Sequence, residues 1–152
     1  MKIWQLVLLM IALIPVATPE ERGGKVEYVG GTVGELSHAP KGRLSTTNQE
    51  FLVFLTNKAH FSVQWEKINL LEYGQRVNRR YALGVLISPM LALSKSRKHY
   101  LTIAFTDEKG GQQAMVFRVD KEDIRSLLVC LEARTNLRVE YQDEDARKGG
   151  KG

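Results

Sequence analysis

The stretch "HYLTIAFTDEKGGQQAMVFRVDKEDIRSLLVCLEAR", residues 99–134, decides the fold, because its hydrophobic period changes once. Before Asp120, two β-type runs, "HYLTIAFTD" and "QQAMVFRVD", flank Glu108-Lys109-Gly110-Gly111, a turn signal that predicts a hairpin. From Lys121 the apolar positions Ile124, Leu127, Leu128 and Leu131 recur at three and four residues, the stripe of a helix lying on a sheet. Asp120 is a good N-cap, Glu122 and Asp123 favour the positive end of the helix dipole, and Asn136 supplies a stop. Cys130 sits among leucines and reads as a small buried thiol. Strands followed by one amphipathic helix predict an α+β fold.

Upstream, "EFLVFLTN" is a strand by composition, and "HFSVQWEKINLLEYG" alternates, with Phe61, Val63 and Trp65 on one face. Asn57-Lys58-Ala59 between them predicts a second hairpin, running into a long fourth strand. "GRLSTT" reads as a short strand after a Pro40-Lys41-Gly42 turn, and "KVEYVGGTVGEL" as a strand bent or bulged at its glycines. The expectation is a curved antiparallel sheet or open barrel of about six or seven strands, capped by one C-terminal amphipathic helix. Val139 and Tyr141 are expected to dock as a last extended piece.

With 152 residues the chain suits one domain. Residues 1–17 read as a signal peptide or N-terminal anchor: Lys2 precedes twelve residues, 3–14, broken only by Gln5, a run short of the roughly 20 that span a bilayer. Residues 18–24 form a linker, and 142–152 a polar disordered tail. Export is therefore expected, periplasmic or secreted, with the N-terminal segment a potential tether. Cys130 is the single cysteine, so stability must come from packing rather than an intrachain disulfide.

The net charge of +5 is concentrated. No Asp or Glu occurs from residue 73 to 106, whereas Arg76, Arg79, Arg80, Lys95, Arg97 and Lys98 all fall there. Between these clusters lie "YALGVLISPMLALS" and the apolar side chains Leu86, Ile87, Met90 and Leu91. Gly84, Pro89 and the flanking charges exclude a transmembrane helix. Such a basic, partly apolar insertion suits an anionic membrane surface or a protein partner.

The order of elements, carried by "GRLSTTNQEFLVFLTN", "FSVQWEKINLLEYG", "YLTIAFTD", "AMVFRV" and "KEDIRSLLVCLEAR", resembles the pleckstrin-homology-like superfold, especially its GRAM-like and bacterial variants. The resemblance covers residues 25–141. It implies a curved sheet or open barrel plugged by a C-terminal helix, and a role in binding lipids, peptides or proteins rather than in catalysis. Only Lys41 and Arg43 are available as basic residues between the first strands, so a phosphoinositide signature is missing.

Nothing in the sequence assembles a catalytic or metal centre. His38, His60 and His99 are scattered without a second ligand at metal spacing, so no metal or other cofactor is expected. Asp120, Glu122 and Asp123 are explained by helix capping and Asp107-Glu108 by a turn, leaving Glu66 and Glu72 astride a strand and a bulge. Trp65 alternates with apolar Phe61 and Val63 rather than with basic residues, which argues against a nucleic-acid platform. The expected function is a non-enzymatic exported binding domain at or near a membrane surface. The alternatives are a protein-assembly module without lipid binding, in which the apolar stretch covers a sheet edge or a partner, and an enzyme with an unrecognised site.

Overall fold

The two runs on either side of Gly110 pair as the turn signal predicts. In the computed structural model, which describes residues 23–36, 41–75 and 98–151, they form β6 (His99–Thr106) and β7 (Gln112–Val119). Asp107 holds the turn: its Oδ1 accepts from the amides of Lys109 (2.9 Å) and Gly111 (2.7 Å), its Oδ2 from Gln113 Nε2 (2.8 Å). Gly110 takes φ of 81° there, a conformation that side-chain-bearing residues resist.

The other strands are β1 (Gly23–Gly31), β2 (Lys41–Ser45), β3 (Phe51–Thr56), β4 (His60–Gln64), β5 (Ile68–Gly74) and β8 (Glu140–Tyr141), with helices α1 (Ile124–Thr135) and α2 (Glu144–Lys151). They make one sheet in the order β4-β3-β2-β1-β7-β6-β5-β8. Every pairing is antiparallel except β5 with β8. The eight strands exceed the expected six or seven because the long fourth strand is broken in two. A 3-10 turn at Trp65–Lys67 separates β4 from β5. Trp65 causes the break: it is buried, its amide donates to Glu50 O (3.0 Å) and its Nε1 to Asn48 O (3.1 Å).

That break fixes the shape of the sheet. β4 and β5 stand six places apart, roughly 29 Å in a flat sheet at ~4.8 Å per strand. Yet the four steps from Gln64 to Ile68 can span at most about 14 Å. The sheet must therefore curl until its ends approach, and Phe61 of β4 indeed meets Phe105 of β6 with ring centroids 6.2 Å apart. β4 and β5 do not pair, so the curl stays open.

The bulge expected from the first strand's glycines lies between Tyr28 and Gly30, against β7. A Cβ on Gly31 would collide with the Ala114 carbonyl and the Tyr28 hydroxyl, so only glycine lets β1 approach β7 there. Inside the curl sit Leu44, Leu52, Phe54, Leu71, Leu101 and Phe117, joined by α1 residues Ile124, Leu127, Leu128 and Leu131. Each buried side chain of this size contributes about 1.5–3 kcal/mol of transfer free energy.

The helix follows its predicted signals except at its start, where the N-cap is Asp123 rather than Asp120 and no side chain caps it. The Asp120 carbonyl accepts from the amides of Asp123 and Ile124, both at 3.1 Å, whereas the Asp123 carboxylate accepts from the Lys25 amide (2.7 Å) and ties α1 to β1. Asn136 ends α1 in the left-handed region at φ 57°. Cys130 is half-buried rather than fully enclosed. The last extended piece expected around Val139 and Tyr141 is β8, and within the segment expected as a tail residues 144–151 form α2. The Gln142 amide donates to Tyr73 O (3.1 Å), Ala146 is buried, and close approach at Gly150 sets α2 against Tyr141, Leu128 and Tyr73.

Candidate functional site

The register identifies where the basic insertion is rooted. Gly74 pairs with Tyr100, so residues 75–98 leave and rejoin the sheet at the same end. Tyr100 pairs with Arg118 and Arg118 with Glu27, a row crossing four strands over about 14 Å. One residue further along lie His99, Val119 and Val26. Gly23, where the described chain begins, is three residues beyond Val26 on that side. The N-terminal segment and the insertion thus attach at one end of β1-β7-β6-β5. Of the expected contact residues, Lys98 is described and is half-buried just before β6. Arg76, Arg79, Arg80, Lys95, Arg97, Leu86, Ile87, Met90 and Leu91 lie outside the described residues, as do residues 1–22.

The root of the insertion is tightly built. Tyr73 Oη and His99 Nδ1 are 2.6 Å apart, with the rings stacked at 6.0 Å and 14°. Burial, helped by Lys121, lowers the pKa of His99, which favours the neutral ring that accepts from the tyrosine. Burial raises the pKa of Tyr73, with Tyr141 adding to the rise. Alongside, Arg118 pairs with Glu27 across β7 and β1, and burial raises the pKa of Tyr100 beside them. Glu72 is buried, and its Oε1 accepts from Gln142 Nε2 at 2.7 Å.

The opposite end of the first strands carries a cleft of about 460 Å³ that the sequence reading missed. Its lining includes Leu36, Phe54 and Phe61, with Lys41, Lys58 and His60 exposed around it. The β3–β4 hairpin positions one wall: Thr56 N and Oγ1 both donate to Ala59 O (2.9 and 2.7 Å), and Thr56 Oγ1 accepts from Ala59 N (3.0 Å). Such an apolar floor, with Lys41, Lys58 and Glu35 at its rim, can hold an apolar group. Lys41, Lys58, His60 and Phe61 were in view beforehand, and Phe54 and Phe61 pair across the β3–β4 hairpin, but Leu36 comes from a separate element and joins them only in the fold.

Among the described residues, no three His, Cys, Asp or Glu side chains cluster to hold a metal ion, and no helix is long and apolar enough to cross a membrane. The chain matches no protein-family model and no curated protein.

Proposed function

We propose that this chain is a non-enzymatic binding domain of the pleckstrin-homology-like kind, exported and acting at an anionic membrane surface through the basic clusters of its insertion. The observation carrying the membrane reading is the common end of attachment: the apolar N-terminal segment and the insertion both join the sheet beside the row Glu27–Arg118–Tyr100–Gly74. A tether entering at Gly23 would hold Arg76, Arg79, Arg80, Lys95, Arg97 and Lys98 near the same bilayer. The linear strand order, the open curl and the helix packed inside it support the fold resemblance.

Each basic side chain close to such a surface is worth on the order of 1 kcal/mol at low salt. Six of them suffice without a specific pocket. Sedimentation with phosphatidylglycerol-containing vesicles, against phosphatidylcholine alone, tests this. Neutralising Arg79, Arg80, Arg97 and Lys98 together to Gln should cut binding to the anionic vesicles by at least about tenfold. Unchanged partitioning would sink the reading.

The cleft at Leu36, Phe54 and Phe61 favours a second role, the capture of a partner's apolar side chain at the end away from the insertion. Loss of partner binding in Phe61→Ser with vesicle binding intact would separate the two ends.

A further inference from the structure

The sheet has two ends, and among the described residues only one is covered. At the β5 end, β8 pairs with Glu72 and Tyr73. At the other end β4 pairs with β3 alone and stands as an edge strand. Edge strands normally carry a guard against pairing with another chain, such as a lysine, a proline or a bulge. β4, "HFSVQ", has none of these, and its ladder with β3 runs without a register shift.

The phase of that ladder shows which groups face the open edge. The same register holds just beyond each end of it: Ala59 O accepts from Thr56 N (2.9 Å), and Trp65 N donates to Glu50 O (3.0 Å). Odd-numbered residues from 59 to 65 therefore turn their amides and carbonyls toward β3, and His60, Ser62 and Gln64 turn theirs away from it. All three are exposed, and their side chains are polar without an acid or a lysine among them.

We infer that β4 pairs antiparallel with β4 of a second copy, about a two-fold axis through Ser62. That register sets Ser62 against Ser62 and His60 against Gln64 twice, so each edge-facing amide meets an edge-facing carbonyl. The neighbours on the inner face are apolar, Phe61 against Val63. Charge selects the same register. Lys58 and Glu66 are exposed, each lies four residues from Ser62, and neither has an ion-pair partner among the described residues. The two-fold brings Lys58 of each copy toward Glu66 of the other, whereas parallel pairing in register would set lysine beside lysine.

The contact is small, so the dimer forms in a concentration-dependent equilibrium. It uses neither lipid nor the insertion, so its failure leaves the membrane reading standing. Sedimentation equilibrium of the full-length chain without lipid should show a mass that rises toward two copies with concentration. Ser62→Pro deletes an amide that points only to the edge and leaves the β3 ladder whole, so it should give a monomer with unchanged far-ultraviolet circular dichroism. Lys58→Glu should weaken the dimer roughly three- to tenfold, and adding Glu66→Lys should restore it. In a Cys130→Ser background, Ser62→Cys should oxidise to a disulfide-linked dimer, because facing residues of such a pair lie about 5.5 Å apart at Cα, and Val53→Cys on β3 should not. If Ser62→Pro does not fold, the charge exchange and the cross-link carry the test. A monomer at every concentration up to about 1 mM overturns the inference. So does a dimer that Ser62→Pro leaves intact, or one that the charge exchange does not restore, since either places the contact elsewhere.

Discussion

The two halves of the sheet present the same kind of face inward and opposite kinds outward. On β3 and β4 the outward positions alternate as in a solvated antiparallel sheet: Phe51, Val53 and Leu55 are half-exposed, and Ser62 and Gln64 are exposed. On β6 and β7 the outward positions Tyr100, Thr102, Ala104, Ala114 and Val116 are buried. Strands buried on both sides lose their alternation and read as continuous apolar runs. "YLTIAF" and "AMVF" do this where "HFSVQ" does not. β3, "FLVFLT", is as continuously apolar yet half-exposed at Phe51, Val53 and Leu55, so burial rather than composition separates the two halves.

The sharpest way to break this comparison is the same charge placed on each outer face. Val116→Asp should destabilise by about 3–5 kcal/mol, the usual cost of an uncompensated buried charge, and Val53→Asp by about 1 kcal/mol. Urea midpoints at matched m-values would show it, and equal costs would erase the distinction. Enlarging a side chain probes the same contrast more gently. Ala104→Leu should cost about 1–3 kcal/mol through overpacking, whereas Ser62→Leu should stay within about 0.5 kcal/mol.

A third prediction concerns the junction of the buried half with the insertion. Tyr73→Phe removes the hydroxyl partner of His99 and should cost about 1 kcal/mol. The histidine also gives the protein a pH dependence of definite sign. Its folded pKa lies below the unfolded value near 6.5, so the unfolded chain takes up the proton first as pH falls. Stability contributed by the neutral ring is complete above that value and is lost as pH drops toward the depressed folded pKa. His99→Gln should flatten the curve in this window, and an unchanged slope would assign the dependence elsewhere.

The smallest effect is expected at the β6–β7 turn. Hydrogen bonds from the Gln113 side chain and then the Gly111 amide lower the pKa of Asp107. Its contribution is present above the ordinary carboxylate pKa and is lost as pH falls through the depressed one. Asp107→Ala should therefore shift the acid-unfolding midpoint slightly upward and leave neutral-pH secondary structure unchanged.

The parts of the fold written in local chemistry were legible beforehand. The period change at Asp120, the turns at Asn57-Lys58-Ala59 and Gly110-Gly111, the bend at Gly30-Gly31 and the stop at Asn136 each have a cause within a few residues. What escaped the sequence has long-range causes. The corner at Trp65 depends on carbonyls of Asn48 and Glu50, and α2 on an Ala146 contact and a glycine face that an acidic, lysine-rich segment does not advertise. The cleft was hidden for the same reason: Phe54 and Phe61 pair across their own hairpin, but Leu36 reaches them only in the fold. For the basic insertion, charge and composition identified the candidate residues, and the register identified where its two ends are held.

Hydroxyl-radical footprinting of the intact chain tests the unlike outer faces most directly, because tyrosine reacts readily and three sit at graded depths. Tyr100, outward on β6, should be protected about as well as Tyr73 of the inner core, and Tyr141, half-buried on β8, should be oxidised faster than both. Oxidation of Tyr100 at the rate of Tyr141 or above would contradict the account, leaving β6 with one covered face.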